Sequence, residues 1–188
     1  MRHKYAIKGI VLARFPFAET SADFVLATRE LGIIRARAQG VRGKGAKLVS
    51  ALQTMGESDF IVVHGVRGWR IVGAVSEENW FARLSRPART RAGRIISLLL
   101  RLTPGEVNEG AFYEALHEFF HTLAYTPPEL HDSAECLAAL RLLRALGLDA
   151  GDIPSSQEKP LIETLASVRK GRRAYIARIN RGIAASGL

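Results

Sequence analysis

Ile33-Ile34-Arg35-Ala36-Arg37-Ala38-Gln39-Gly40-Val41, residues 33–41, sets polar and apolar side chains in alternation. A period of two belongs to a strand with one face in a core and the other in water. Arg35, Arg37 and Gln39 therefore share one face, and Ile34, Ala36, Ala38 and Gly40 share the other. Working outward, Tyr5–Phe15 and Asp23–Thr28 read as strands before the Leu31-Gly32 turn. Asp59–Val66 and Trp69–Ser76 follow, joined by the hairpin signal Gly65-Val66-Arg67-Gly68. Five strands with glycine-rich turns predict a small closed barrel. An oligonucleotide-binding (OB) barrel is the commonest such solution, although periodicity alone does not separate it from an SH3-like barrel.

After Asn79 the pattern turns helical. Pro87 and Pro104-Gly105 frame a helix near Ala88–Leu102. A second is predicted from Glu106 to Tyr125, with Glu106 and Glu109 where the helix dipole favours acids. Pro127-Pro128 breaks it, a third spans Glu129–Leu146 and stops at Gly147, and a last basic helix runs over Leu161–Ala185, weakened at Gly171. The expected class is α+β: a five-stranded OB-fold nucleic-acid-binding domain over residues 1–80, then an all-α helical bundle over 81–188.

The chain has 188 residues, 47% of them hydrophobic, and a single cysteine. One cysteine excludes an internal disulfide framework and cysteine-rich zinc knuckles, and the hydrophobic fraction excludes a disordered chain. No apolar run approaches the roughly 20 residues of a membrane span, and Ile10–Ala13 runs into Arg14 too soon for a signal-peptide core. A cytoplasmic protein with no membrane partner is expected. The net charge is +9. Residues 1–86 carry 14 basic and 7 acidic side chains, residues 87–150 carry 6 and 8, and residues 151–188 carry 7 and 3. Positive charge gathered at both ends suits a polyanion, because Lys and Arg that neutralise phosphates release condensed counterions.

Two stretches tempt other readings. His117-Glu118-Phe119-Phe120-His121 satisfies H-E-x-x-H, which on a helix places two imidazoles one turn apart beside a glutamate that could activate zinc-bound water. Pro127 stands where one protease class places a third ligand, and His131 and Glu135 lie beyond the proline break. The competing reading makes these histidines part of a bundle face with Phe112, Leu116, Phe119 and Phe120. Residues 40–47 resemble a phosphate loop, but Gly45 stands where Ser or Thr must hold magnesium, so no nucleotide or other cofactor is expected.

What remains of that loop is three cations, Arg42, Lys44 and Lys47, directly after the strand that shows Arg35 and Arg37. Single-strand binding also needs aromatic platforms. Phe15 and Phe17 near Arg14, Trp69 between Arg67 and Arg70, and Trp80-Phe81 near Arg83 are the candidates, whereas Phe24 and Phe60 read as core. The candidate DNA-binding set is Arg14, Arg35, Arg37, Arg42, Lys44, Lys47, Arg67, Trp69 and Arg70, with no catalytic or metal-binding residue expected. Cys136 reads as a small buried hydrophobe, and Arg169, Lys170, Arg172, Arg173, Arg178 and Arg181 as a basic helix face open to phosphate contact.

The stretch Ala6-Ile7-Lys8-Gly9-Ile10-Val11-Leu12 with Arg14, and then the span Glu19 to Asp23, resembles the opening of the bacterial recombination mediator RecO family. Thr28-Arg29-Glu30-Leu31-Gly32 is similar to that family's LTREHG-type turn, and Ala38-Gln39-Gly40-Val41-Arg42 to its AKGARR-type segment, with Leu52-Gln53 after it. Leu140-Arg141-Leu142-Leu143-Arg144-Ala145-Leu146-Gly147 resembles its FELRLLRLLG helix, and Tyr175-Ile176 through Leu188 its last helix. The resemblance implies an OB barrel, a helical C-terminal domain and no catalytic turnover. It also implies binding of single- and double-stranded DNA, strand annealing, work with RecR in loading RecA, and contact with the C-terminal tail of single-strand-binding protein. Gln39 stands where the family usually has Lys, and Asp149–Pro160 lacks the four-cysteine zinc site of many members. The chain is short for the family, which implies a trimmed helical domain. The expectation is thus a non-enzymatic, nucleoid-associated DNA-binding protein of repair and recombination. A zinc hydrolase using His117, Glu118 and His121, and an OB-type RNA-binding module, are the alternatives.

Overall fold

The structure is a computed structural model. It describes residues 3–17, 19–39, 48–107, 109–154 and 160–187. Five strands close a barrel in the order β1-β2-β3-β5-β4: β1 Lys4–Phe17, β2 Ser21–Thr28, β3 Gly32–Ala38, β4 Gly56–Gly65 and β5 Gly68–Asn79. β1 is long enough to serve two neighbours, pairing with β4 over Lys4–Ile10 and with β2 over Gly9–Phe17. Where it passes from one to the other, a Cβ on Gly9 would come within 3.1 Å of the Ala27 carbonyl oxygen, so a larger residue there would press on the β2 backbone. The antiparallel β2–β3 pairing leads to a short parallel contact, Ala36 to Ala38 beside Trp69 to Ile71, which closes the wall. This strand order, with a parallel β3–β5 junction, is the OB barrel and removes the SH3-like alternative.

The alternation in residues 33–39 becomes an inside and an outside. Ile34, Ala36 and Ala38 join Ile7, Val11, Phe24, Leu26, Phe60, Val62 and Ile71 in the barrel core, while Arg35 and Gln39 are exposed. Phe24 and Phe60 are core, as the sequence suggests. Register shifts at Val11/Ala13, Glu57/Ser58 and Ile61/Val62 mark bulges, which bend the strands enough to close so small a barrel.

Two expectations are corrected near the barrel. Trp80 is 3% exposed and cannot be a stacking platform. Its indole Nε1 donates to the Glu57 carboxylate at 2.9 Å, and Tyr113 Oη donates to the other Glu57 oxygen at 2.6 Å. The second correction concerns residues 106, 107, 109 and 110, predicted as the start of a helix. Ile33 and Val107 instead exchange backbone hydrogen bonds of 2.8 and 3.1 Å, and Glu106 accepts from the Arg35 N–H at 3.2 Å. The edge of β3 ahead of its β5 contact is free to pair, and satisfying those backbone groups outweighs the local helix signal. The chain divides into two units, Met1–Arg83 with Gly105–Glu114, and Leu84–Pro104 with Ala115–Leu188, where the sequence suggests one boundary at residue 80.

Among the described residues six α-helices follow the strands: α1 Trp80–Arg83, α2 Arg86–Leu102, α3 Ala111–Tyr125, α4 His131–Ala145, α5 Leu161–Lys170 and α6 Arg172–Ala185. Ser85 caps α2 by accepting from the Ala88 N–H, Pro87 occupies its first turn, and Ala88, Ala92, Ile95, Ile96 and Leu99 form its buried stripe. In the second unit α4 is central, packing on α2, α5 and α6 with Leu137, Leu140, Leu142 and Leu143 buried. The single basic helix expected over 161–185 is two helices, parted at Gly171, where a Cβ would lie 2.9 Å from the Tyr175 ring. Among the described residues, no helix is long and apolar enough to cross a membrane.

Candidate nucleic-acid interface

Pleating sends every second residue of β1, β2 and β3 outward, and register brings those residues side by side. Asp23 stands opposite Phe15 on one side and Arg37 on the other, and Val25 stands opposite Arg35. The β4–β5 hairpin adds Arg67 and Trp69. Together these line a cleft of about 340 Å³, floored by the edge of Phe24. Phe15 is 53% exposed and Phe17, one pleat further along β1, is 44% exposed. Trp69 is half-buried and held edge-on by Tyr5 and His64, with ring centroids 5.4 and 4.6 Å away. A fixed aromatic beside cations is the combination that binds an unpaired base: the ring offers stacking area and the cations take the phosphates.

Arg37 is the best-anchored cation of the cleft. Its Nε and Nη2 donate to Asp23 Oδ1 and Oδ2 at 2.7 and 3.0 Å, and its guanidinium lies 3.3 Å from the centroid of the Phe17 ring. The Asp23 hydrogen bonds raise Arg37 above its ordinary value, so its charge is permanent. Of the set predicted from sequence, the cleft brings together Arg35, Arg37, Arg67 and Trp69. Arg14 and Arg70 sit outside its lining: Arg14 lies 5.8 Å above the Phe24 ring, and Arg70 Nη2 donates to Gln39 Oε1 at 3.2 Å. Arg42, Lys44 and Lys47 lie outside the described residues. Sequence reasoning missed Asp23. β2 shows no polar–apolar alternation that would single it out, and only register shows that Asp23 meets Arg37.

Other cations of this unit are tied to carboxylates. Lys8 Nζ lies 2.5 Å from Glu77, Arg29 Nε 2.8 Å from Glu114, and Arg83 Nη2 2.7 Å from Glu78. In the helical unit the basic C-terminal set is partly consumed. Arg172 pairs with Asp132 and Arg178 forks onto Asp149, whereas Arg169, Lys170, Arg173 and Arg181 are exposed. Cys136 is buried, and burial pushes its thiol up to about 11.

The H-E-x-x-H side chains have other engagements. Glu118 pairs with Arg141 at 2.6 Å, and the His121 ring lies 4.5 Å from that of Tyr125. The suggested third ligands are occupied as well: His131 Nε2 hydrogen-bonds the Thr126 carbonyl at 3.0 Å, and Glu135 binds Arg91 and Arg94. No group of three His, Cys, Asp or Glu that could hold a metal ion occurs among the described residues. Phe112, Leu116, Phe119 and Phe120 are buried, whereas His121 is exposed.

Comparison with known proteins agrees with the strand order. Residues 1–71 match the family model described as recombination protein O N terminal. The chain is also similar to a DNA repair protein RecO of Heliobacterium modesticaldum, with 28% identity over 144 residues, 76% of this chain. The match covers 51% of that relative, so the chain spans about half the length of the curated protein it resembles. The family match and the OB barrel cover the same residues, and this relative extends the likeness into the helices: residues 1–71 are similar to the N-terminal domain of the RecO family.

Proposed function

We propose that this chain is a non-enzymatic DNA-binding protein of DNA repair and homologous recombination, which seats DNA across the outer face of β1, β2 and β3. The observation that carries the reading is the cleft itself, where Arg35, Arg37 and Arg67 surround Phe15 and Trp69 on an OB barrel. The similarity to a protein named for DNA repair supports it. Arg42, Lys44 and Lys47 follow β3 directly in sequence and are proposed as further phosphate contacts.

The mechanism is electrostatic. Cations that neutralise the phosphates of two strands lower the repulsion between them, while stacking on Trp69 and Phe15 keeps bases unpaired and available. Such a surface would bind single- and double-stranded DNA and anneal complementary strands. The resemblance to the RecO family adds RecR, the tail of single-strand-binding protein and the loading of RecA as proposed partners and role, at the nucleoid in the cytoplasm. Anisotropy of a labelled single-stranded oligonucleotide tests the core of this reading. Binding at low salt that weakens steeply with added salt is expected, together with faster pairing of two complementary oligonucleotides. An isolated chain that binds no oligonucleotide at low salt would contradict it.

A further inference from the structure

We infer that Asp23 makes the cleft prefer single-stranded to double-stranded DNA; the inference rests on the cleft being the DNA site. A carboxylate in the middle of a cationic groove is out of place if the groove only collects phosphates. Asp23 is nonetheless the acid lining this cleft, between Phe15 of β1 and Arg37 of β3. Both of its oxygens take the Arg37 fork, and its side chain stays 37% exposed, open to a ligand.

The consequence differs for the two kinds of DNA. A duplex meets the cleft with its phosphate backbone, and the amino hydrogens it leaves free lie in a major groove roughly 8.5 Å deep, out of reach of a carboxylate set in a cleft; it therefore meets Asp23 with like charge and must displace it to reach Arg37. A single strand stacked on the neighbouring aromatics turns base edges toward the groove. The amino group of cytosine, adenine or guanine and the imide of thymine are donors, and a carboxylate accepts from them. Arg37 stays stacked on Phe17 at 3.3 Å while Asp23 trades one guanidinium bond for a base donor, which frees a guanidinium N–H for phosphate. Asp23 thus penalises a ligand with no base edge in reach and accepts one that has it.

The test is the binding of the full chain to a mixed-sequence single strand and to the matching duplex, before and after Asp23→Asn. Duplex affinity should rise about ten-fold and single-strand affinity change less than about three-fold, with the duplex salt slope steepened by about one as Arg37 becomes a phosphate contact. An equal rise for both ligands would reduce Asp23 to a general charge screen and overturn the inference, and so would no change in either. Asp23→Ser, which keeps a small polar side chain, guards against a fold defect. If both variants melt like the unaltered protein yet lose binding to both ligands, Asp23 only positions Arg37, and the inference also fails. An unaltered chain that binds neither ligand would instead defeat the DNA-binding reading beneath it.

Discussion

Glu57 shows how single residues organise the barrel unit. It is 3% exposed, and a carboxylate so deep needs donors, because a buried charge without them is strongly disfavoured. Trp80 and Tyr113 supply two from positions 23 and 56 residues away in sequence. Burial and the Glu57 carboxylate push the Tyr113 phenol far above its ordinary value, so it remains a neutral donor across the physiological range. Tyr113→Phe should therefore lower unfolding stability by about 1–3 kcal/mol in urea titrations, because one Glu57 oxygen loses its donor. A stability loss below a few tenths would show that another donor replaces the phenol. None of this was legible in sequence. Trp80 beside Arg83 looked like an exposed stacking residue because its partner, Glu57, comes from a different strand.

Elements show where local patterns suffice. The alternation over residues 33–39 and the Gly65–Gly68 hairpin were readable because strand period and turn chemistry are local. The cleft was half readable for the same reason: Arg35 and Arg37 share a face by parity, but their juxtaposition with Phe15, Asp23 and Trp69 depends on register with β1, β2 and β5. Residues 106, 107, 109 and 110 were misread because the partner that captures them, the open edge at Ile33, is remote in sequence. Their close approach gives a prediction. A Cβ on Gly110 would stand 2.5 Å from the Arg29 carbonyl oxygen. Gly110→Ala should cost about 1–3 kcal/mol of stability, measured by thermal or urea unfolding, and an unchanged midpoint would contradict so tight a contact. In the helical unit, Arg172 and Arg178 hold Asp132 and Asp149 below the usual carboxylate range. Carboxylates depressed in the folded state add stability above their unfolded value near about pH 4, and that stability is lost as pH falls through the folded value. Helical signal at 222 nm should therefore melt at progressively lower temperature below pH 4. Asp149→Asn should lower stability at pH 7 by about 2 kcal/mol and remove part of that acid dependence.

At the scale of the molecule, charge is sorted by use. Many cations are locked into pairs that hold elements in place: Lys8 and Arg29 in the barrel unit, and Arg91, Arg94, Arg172 and Arg178 among the helices. Each such pair is neutral, so the net +9 rests on the remaining cations, and what a ligand meets depends on where those gather. What the barrel offers is a local field at one cleft, with aromatic rings held in it. The central claim is that DNA lies in that cleft, and the salt dependence of single-strand binding in Arg35→Gln/Arg67→Gln tests it most directly. Each phosphate contact on a single strand contributes about −0.7 to the slope of log K against log salt, so losing two should flatten it by about 1.4. That flattening is expected together with weaker binding at low salt. An unchanged slope and affinity, with the double variant folded as the unaltered chain, would place the DNA elsewhere and contradict the account.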